Sequence, residues 1–178
     1  MIDLSFDEAI QAMGATPAKG LSNRLKRFPS VSTDTRTLES GQCFVCLQGP
    51  NFDAHRFIPE AVAKHAAVIV HSDPVVETAA IGAIFLRVAD TLAALQQLGH
   101  YVRVKWGRPL VGITGSVGKT TTRIFTTSLL AGLYKVRQSH GNLNNQIGVP
   151  LSLLSLEGDD QVAVIEMGMN HAGEIRAL

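Results

Sequence analysis

Short apolar runs alternate along the chain with segments in which apolar residues recur every three or four positions. Residues 66–70 are a continuous apolar run of strand length, and residues 83–88 are a second apolar run interrupted only by Arg87, whereas residues 91–104 carry apolar side chains at helical spacing. Continuous runs are typical of strands buried in a parallel sheet, and their alternation with helices predicts an α/β fold. The other predicted elements are helices over 6–13, 57–64, 119–133 and 150–156 and strands over 43–47, 110–114, 134–137 and 162–166.

A glycine-bounded loop follows the strand predicted over residues 110–114. It reads Gly115-Ser116-Val117-Gly118-Lys119-Thr120-Thr121. Glycines let a backbone approach an anion closely, and the start of the next helix adds the positive end of its dipole. We therefore predict a nucleoside triphosphate site in which Lys119 reaches the terminal phosphates and the Thr120 hydroxyl binds Mg²⁺. The strict motif has glycine where this chain has Ile113, and a turn of small residues without a ligand is the alternative.

A carboxylate ends the strand predicted over residues 162–166. Ligands of α/β proteins bind at the carboxyl ends of parallel strands, and Mg²⁺ prefers hard oxygen donors. Glu166 is thus a candidate magnesium ligand beside Thr120, and a solvated side chain at a strand end is the alternative. His171 follows in the next loop. It is either a substrate contact or a surface or helix-capping residue.

Composition limits the class of protein. A chain of 178 residues with 46% hydrophobic and 17% charged residues can bury a core. Sixteen basic residues against fifteen acidic ones are scattered, which argues against nucleic acid or an anionic membrane as a partner. The apolar runs are too short to span a bilayer, and the first twenty residues lack a signal-peptide pattern. We expect a cytoplasmic monomer.

The two cysteines have Cys-x-x-Cys spacing but an unusual setting for redox or zinc chemistry. Cys43 and Cys46 lie in a predicted strand, whereas a redox pair normally opens a helix. A structural zinc site needs two further ligands at matching spacing, and the sequence contains no second cysteine pair. We therefore expect buried, reduced thiols that behave as small hydrophobic side chains.

A break at Trp106-Gly107-Arg108-Pro109 divides the chain. We expect a small α/β domain over residues 1–107 and the first part of a parallel-sheet phosphate-loop domain over 108–178. The second domain looks unfinished, because such sheets normally contain several more parallel strands. We therefore expect this chain to be a piece of a longer enzyme and to be inactive alone.

Three blocks of the sequence resemble the Mur ligases of bacterial cell-wall synthesis. The first combines residues 32–36 with 43–55, the second is the phosphate loop, and the third combines 141–150 with 165–175. In order and spacing they cover nearly the whole chain. The third block resembles most the family member that adds D-alanyl-D-alanine, since the ligase that adds the third amino acid usually has threonines in place of Asn144 and Asn145.

The resemblance implies an activity and its cofactors. In the family, ATP phosphorylates the terminal carboxylate of a UDP-linked muramoyl peptide, and an amine attacks the acyl phosphate to form an amide. The implied cofactors are ATP and Mg²⁺, and the implied substrates are UDP-N-acetylmuramoyl-tripeptide and D-alanyl-D-alanine. Lys119 and a Mg²⁺ ion held by Thr120 and Glu166 would neutralise the repulsion between carboxylate and triphosphate. A binding module without chemistry is the alternative, as is the ligase that adds the third amino acid.

The resemblance also implies substrate-binding positions. The family's first domain binds the uridine diphosphate end of the substrate, which maps here onto the loop with Thr35 and Arg36 and onto residues 49–55. Arg36 is the candidate anion contact, and an ion pair with Asp34 is the alternative. The residues implied to line the cleft beside the peptide are Asn142, Asn144 and Asn145. Asparagine and glycine also suit a tight turn, which is the alternative there.

Overall fold

The computed structural model describes residues 2–18, 25–73 and 82–178, and the chain divides into two compact units. The first unit is Asp3–Leu98, and the second is Gly99–Leu178 with Ile2. Helix α3, defined below, has residues in both units. The domain limits of 1–107 and 108–178 therefore stay a prediction.

The first unit is built on a five-stranded sheet. Its helices are α1 (Phe6–Met13) and α2 (Ile58–Ala63), and its strands are β1 (Thr16–Pro17), β2 (Val31–Ser32), β3 (Cys43–Val45), β4 (Gln48–Gly49), β5 (Phe52–Asp53), β6 (Val68–His71) and β7 (Ile84–Arg87). The sheet order is β1-β7-β6-β3-β2, in which β2, β3, β6 and β7 are parallel and β1 is antiparallel to β7. Strands β4 and β5 form a separate antiparallel pair.

The predicted start and end of the first helix are confirmed. The Ser5 hydroxyl accepts a hydrogen bond from the Glu8 backbone N–H at 3.2 Å, and the Glu8 carboxylate accepts one from the Ser5 N–H at 2.8 Å. Each bond satisfies a backbone donor that a helix start leaves unpaired. Gly14 ends the helix in the left-handed conformation, with φ of 60°.

The centre of the first sheet is fully buried. Every residue of β3 and β6 is buried, as their continuous apolar runs predict. Cys43 and Cys46 are free, buried thiols, which confirms the interpretation drawn from the sequence. Burial raises the pKa of both thiols, to about 12 for Cys46. Neither thiol ionises near neutral pH, so both act as packing groups.

The second unit has a three-stranded parallel sheet. Helix α3 (Thr91–Trp106) leads into it, and its other elements are β8 (Leu110–Ile113), α4 (Lys119–Ala131), β9 (Val136–Gln138), α5 (Gly148–Leu154), β10 (Val162–Glu166) and α6 (Glu174–Ala177). The sheet order is β8-β10-β9, and all five residues of the central strand are buried. Among the described residues, no helix is long and apolar enough to cross a membrane.

The register of this sheet positions the candidate site. Glu166, the last residue of β10, is paired with Ile113, the last residue of β8. Because parallel strands end at the same edge of a sheet, the loop after β8 and the carboxylate of Glu166 lie at one edge. The α/β fold and this adjacency are as the sequence predicts.

Several element bounds differ from the prediction by one or two residues, and two of them lie beside the candidate site. The strand expected over 134–137 is Val136–Gln138, and the helix expected over 150–156 is Gly148–Leu154. The helix begins earlier because the Asn145 side-chain oxygen accepts hydrogen bonds from the backbone N–H groups of Ile147 and Gly148. Pro150 is tolerated in the first turn, where a backbone N–H has no partner within the helix.

Candidate functional site

The loop between β8 and α4 has a backbone that favours glycine at two positions. Gly115 has φ of 149° and Gly118 has φ of 80°, both in a region that other residues rarely adopt. A Cβ atom at Gly118 would have no neighbour within 4 Å, so conformation rather than space selects glycine there. The loop residues are exposed, and Gly118 precedes the first turn of α4. Such a loop can present backbone N–H groups to an anion.

The Lys119 side chain lies back over this loop. Its ammonium group donates a hydrogen bond to the Gly115 carbonyl oxygen at 2.7 Å. The contact is exposed, so an anion could reach the ammonium. The ammonium group thus lies over the glycine-bounded loop, and its contact with the terminal phosphates stays a prediction.

Glu166 is a buried carboxylate surrounded by hydrogen-bond donors. Its relative exposure is 2%. Oε2 accepts from the Thr120 hydroxyl at 3.0 Å and from Arg123 Nε at 3.4 Å, and Oε1 accepts from Asn144 Nδ2 at 2.9 Å. Burial raises the pKa of Glu166, but the hydrogen bonds from Asn144, Thr120 and Arg123 outweigh it and hold the pKa below its ordinary value. Glu166 is thus a charged, oriented carboxylate rather than a solvated one.

The pair formed by Thr120 and Glu166 suits a hard divalent cation. A hydroxyl that donates its only proton to a carboxylate keeps its lone pairs for another partner. Mg²⁺ takes oxygen ligands from one or two side chains together with phosphate oxygens and water. A charged carboxylate oxygen 3.0 Å from a hydroxyl oxygen at the start of a phosphate-loop helix fits that requirement.

Arg123, which was not predicted from the sequence, belongs to the same site. This arginine of α4 is 7% exposed, and its Nη1 donates to Gln138 Oε1 at 2.7 Å and to the Ser139 carbonyl oxygen at 2.6 Å. One signal was available. Arg123 follows Lys119 by four residues and so lies one helical turn further along a helix that packs on the sheet.

The three asparagines predicted to line a cleft have different surroundings. Asn144 contacts Glu166 directly, and its carbonyl oxygen accepts from the Gly168 N–H at 2.6 Å. The side-chain oxygen of Asn145 instead starts helix α5. Asn142 is exposed, and its carbonyl oxygen accepts from the Asn144 N–H at 2.8 Å. The structure therefore joins Asn144 to the site and gives Asn145 a structural contact.

His171 takes part in a hydrogen-bonded turn ahead of α6. Its side chain is 83% exposed, and Nδ1 lies 3.0 Å from Glu174 Oε1. The other oxygen of Glu174 accepts from the backbone N–H groups of Asn170 and His171, at 2.6 and 3.2 Å. In the part of the chain that the structure describes, no side chain caps α6, whose N-cap residue is Gly173, so the arrangement matches the surface alternative for His171. A substrate contact by the exposed ring stays a prediction.

In the first unit, Arg36 is exposed and paired with Asp34. Its Nη2 lies 2.6 Å from Asp34 Oδ2, and its side chain is 86% exposed. The hydrogen bonds from Arg36 lower the pKa of Asp34 to about 2. Thr35 is buried, and its carbonyl oxygen accepts from the Lys64 ammonium at 2.6 Å. The ion pair is present, and it leaves the guanidinium accessible to an anion.

A histidine fixes the segment over residues 49–55. His55 Nδ1 lies 2.6 Å from Asp53 Oδ1, and His55 Nε2 accepts from the Ser72 backbone N–H at 3.0 Å. The imidazole side chain is 8% exposed. It therefore ties the loop to the residue that follows β6.

The comparisons with known proteins agree with this architecture. A glycine-bounded loop between a parallel strand and a helix, with a carboxylate at the end of the adjacent strand, defines a phosphate-loop α/β fold. Residues 113–178 match the family described as the Mur ligase middle domain. In sequence and in fold, the chain is thus similar to Mur ligases.

Relatives and solved structures extend the similarity to the first unit. The UDP-N-acetylmuramoyl-tripeptide–D-alanyl-D-alanine ligase of Synechocystis sp. is 41% identical over 152 residues, which are 85% of this chain and 33% of that relative. A crystal structure of MurF from Acinetobacter baumannii has a TM-score of 0.89 and 37% identity, covering 98% of this chain and 38% of that one. MurF from Thermotoga maritima, solved in complex with ADP, has a TM-score of 0.73 and 29% identity, covering 84% and 34%. This chain thus spans about a third of the length of these proteins.

Proposed function

We propose that this chain supplies the nucleotide-binding and UDP-substrate-binding parts of an ATP-dependent amide ligase of peptidoglycan precursor synthesis. In this proposal the whole enzyme is a cytoplasmic monomer that joins D-alanyl-D-alanine to UDP-N-acetylmuramoyl-tripeptide through an acyl phosphate. The observation that carries it is the charged Glu166 carboxylate beside the Thr120 hydroxyl at the glycine-bounded loop. The names of the relatives, and the ADP bound to the Thermotoga maritima protein, support the substrates and the nucleotide.

The phosphate-binding residues act mainly through charge and position. The proposed nucleotide-binding residues are Gly115, Ser116, Val117, Gly118, Lys119, Thr120 and Thr121. Their backbone N–H groups and the Lys119 ammonium would hold the β- and γ-phosphates, because preorganised donors stabilise charge without reorganising during the reaction. Thr120 and Glu166 would hold Mg²⁺, which when bound neutralises charge on the transferred phosphoryl group.

The two proposed catalytic residues, Lys119 and Glu166, would reduce the repulsion between the substrate carboxylate and the triphosphate. A substrate carboxylate that attacks a triphosphate is repelled by it, and Lys119 offsets part of that repulsion at the loop. Glu166 adds negative charge to the same region. Glu166 would therefore promote phosphoryl transfer by holding Mg²⁺, which agrees with its proposed role as a metal ligand.

The substrate contacts are proposed from the family's pattern and from exposure. Thr35 and Arg36 are assigned to the UDP end in the first domain, residues 1–107, and the exposed Arg36 guanidinium could exchange Asp34 for a diphosphate oxygen. The residues assigned to the peptide end in the second domain, residues 108–178, are Asn142, Asn144, Asn145 and His171. Since the Asn145 oxygen is used by helix α5, only its amide N–H groups are left for a ligand.

Calorimetric titration with UDP-N-acetylmuramoyl-tripeptide tests the assignment of Arg36. We expect the unaltered chain to bind this ligand and Arg36→Gln to bind it about tenfold more weakly, because a charge-assisted contact with the diphosphate is lost. ATP affinity should not change. Arg27→Gln is the matched control, since Arg27 is also an exposed arginine paired with an aspartate, Asp3.

Two results would contradict this proposal. Absence of binding by the unaltered chain would remove the support for a UDP-linked substrate and favour a phosphate-loop protein of another kind. An equal loss of affinity in Arg36→Gln and Arg27→Gln would show that net charge, and not a contact at Arg36, controls binding.

A further inference from the structure

We propose that Arg123 is a positioning residue that orients the Glu166 carboxylate for Mg²⁺ without touching the nucleotide. The inference rests on the proposed function above, in which Thr120 and Glu166 hold the metal. Arg123 lies outside the phosphate-loop motif.

The guanidinium of Arg123 is committed to groups of the sheet. Nη1 is held by Gln138 Oε1 at 2.7 Å and by the Ser139 carbonyl oxygen at 2.6 Å, at the end of β9 and just after it. Nε then faces Glu166 Oε2 at 3.4 Å. The side chain of Arg123 is 8% exposed, and that of Glu166 is 3% exposed. Because the guanidinium is planar, its attachment at Nη1 also fixes the direction of the Nε–H bond, so Arg123 can set the position of the carboxylate.

A closed ring of hydrogen bonds links this arginine to both the backbone and the side chain of Glu166. The Ser139 hydroxyl accepts from the Glu166 backbone N–H at 3.1 Å, and the Ser139 carbonyl accepts from Arg123. Arg123 in turn contacts the Glu166 side chain. Because Ser139 is 1% exposed, solvent does not compete for these bonds. The ring fixes the carboxylate relative to strand β10.

The contact also determines which atoms are presented to a cation. Glu166 Oε2, the oxygen that faces Arg123, is the one that accepts from the Thr120 hydroxyl at 3.0 Å. Asn144 occupies the other oxygen. Any displacement of Arg123 would therefore change the distance between the two atoms proposed to hold the metal. Residues that orient a metal ligand typically change metal affinity by about 10- to 100-fold when they are replaced.

Charge explains why an arginine is suited to this position. A carboxylate buried to this degree is costly unless a cation and hydrogen-bond donors accompany it. A guanidinium can contact three acceptors at once, here Gln138, Ser139 and Glu166. A lysine ammonium would keep the charge but would not reproduce the planar geometry of these contacts.

The test is a calorimetric titration of the 178-residue chain with ADP, with Mg²⁺ and with EDTA. The quantity compared is the gain in ADP affinity that Mg²⁺ produces. We expect Arg123→Met to reduce this gain about 10- to 100-fold and Arg123→Lys to reduce it by less. ADP affinity in EDTA should stay as in the unaltered chain, because Arg123 does not touch the nucleotide.

Arg137→Met is the matched control. Arg137 lies on β9 beside Gln138, and its Nε pairs with the buried Asp160 at 2.8 Å. Its loss should lower the free energy of unfolding but leave the Mg²⁺ gain unchanged. If Arg123→Met shows an unchanged Mg²⁺ gain, or loses affinity equally with and without Mg²⁺, Arg123 has only a structural role and the inference is wrong.

Two further outcomes also test the inference: a variant that does not fold, and an unaltered chain that does not bind ADP. If circular dichroism shows that Arg123→Met does not fold, Arg123→Lys replaces it, and a Mg²⁺ gain equal to that of the unaltered chain overturns the inference. If the unaltered chain binds no ADP, or binds it without a Mg²⁺ gain, the proposed metal and nucleotide site itself fails, and the inference fails with it.

Discussion

Lys119→Ala is expected to weaken ATP binding by about 10- to 100-fold in the presence of Mg²⁺. A hydrogen bond to a charged group contributes about 1.5–3 kcal/mol, and about 1.4 kcal/mol corresponds to a tenfold change in affinity. The Lys119 ammonium lies over the loop, 2.7 Å from the Gly115 carbonyl oxygen, where the β- and γ-phosphates are proposed to bind. Isothermal titration calorimetry of the unaltered and altered chains measures the effect.

The folded state should tolerate this change. The contact between Lys119 and Gly115 is exposed, so its loss should hardly alter the midpoint of urea unfolding. Lys105→Ala, in the last turn of α3, is the control for the loss of one positive charge in the second unit. An ATP affinity that is the same in Lys119→Ala and in Lys105→Ala would contradict the proposed role of Lys119.

Gly148→Ala is expected to lower the free energy of unfolding by about 3 kcal/mol, the upper end of the usual range for overpacking. A Cβ atom at this position would lie 2.5 Å from the Leu143 carbonyl carbon and 2.9 Å from the Leu143 Cβ. The carbonyl carbon belongs to the backbone, so no rotation of a side chain relieves the overlap. Helix α5 or the preceding turn must move, which would also disturb the hydrogen bonds from Ile147 and Gly148 to Asn145.

Urea denaturation followed by circular dichroism measures this loss, with two glycine controls. Gly158→Ala should be close to neutral, because a Cβ there would have no neighbour within 4 Å. Gly112→Ala should cost less than Gly148→Ala, since its clash is with the mobile end of the Met167 side chain. Equal unfolding midpoints for Gly148→Ala and Gly158→Ala would show that the turn relaxes freely.

The phosphate loop and Glu166 could be predicted from the sequence because their signals are local. Gly115 and Gly118 mark the backbone conformation of the loop, and the apolar run of residues 162–165 predicts a buried strand that ends at Glu166. The convergence of these segments follows from one further rule, that parallel strands end at the same edge of a sheet. The same rule brings Thr120 and Glu166 to one edge of the sheet.

The buried network around Glu166 could not be predicted in the same way. Arg123 and Gln138 lie on different elements, and whether their side chains meet depends on how helix α4 packs on β9. The pattern of apolar residues specifies a helix and a strand but not the orientation of side chains between them. Arginine is also usually exposed, so its presence in the sequence predicts a surface position first.

Asn145 shows a second limit of sequence reasoning. Asparagine suits both a ligand contact and a local hydrogen bond to backbone, and the sequence left these alternatives open. In the fold, its side-chain oxygen accepts from Ile147 and Gly148 and starts helix α5 two residues before the predicted position. Asn144, its neighbour, instead reaches Glu166. Adjacent asparagines therefore differ in role through geometry alone.

NMR titration of the ¹⁵N-labelled chain with ADP and Mg²⁺ tests whether residues 115–121 and Glu166 form a nucleotide and Mg²⁺ site. We expect the backbone amide signals of residues 115–121 to shift most. We expect the signals of Glu166 and Asn144 to shift only when Mg²⁺ is present. Shifts confined to other parts of the chain, or no shifts at millimolar ADP and Mg²⁺, would contradict the claim.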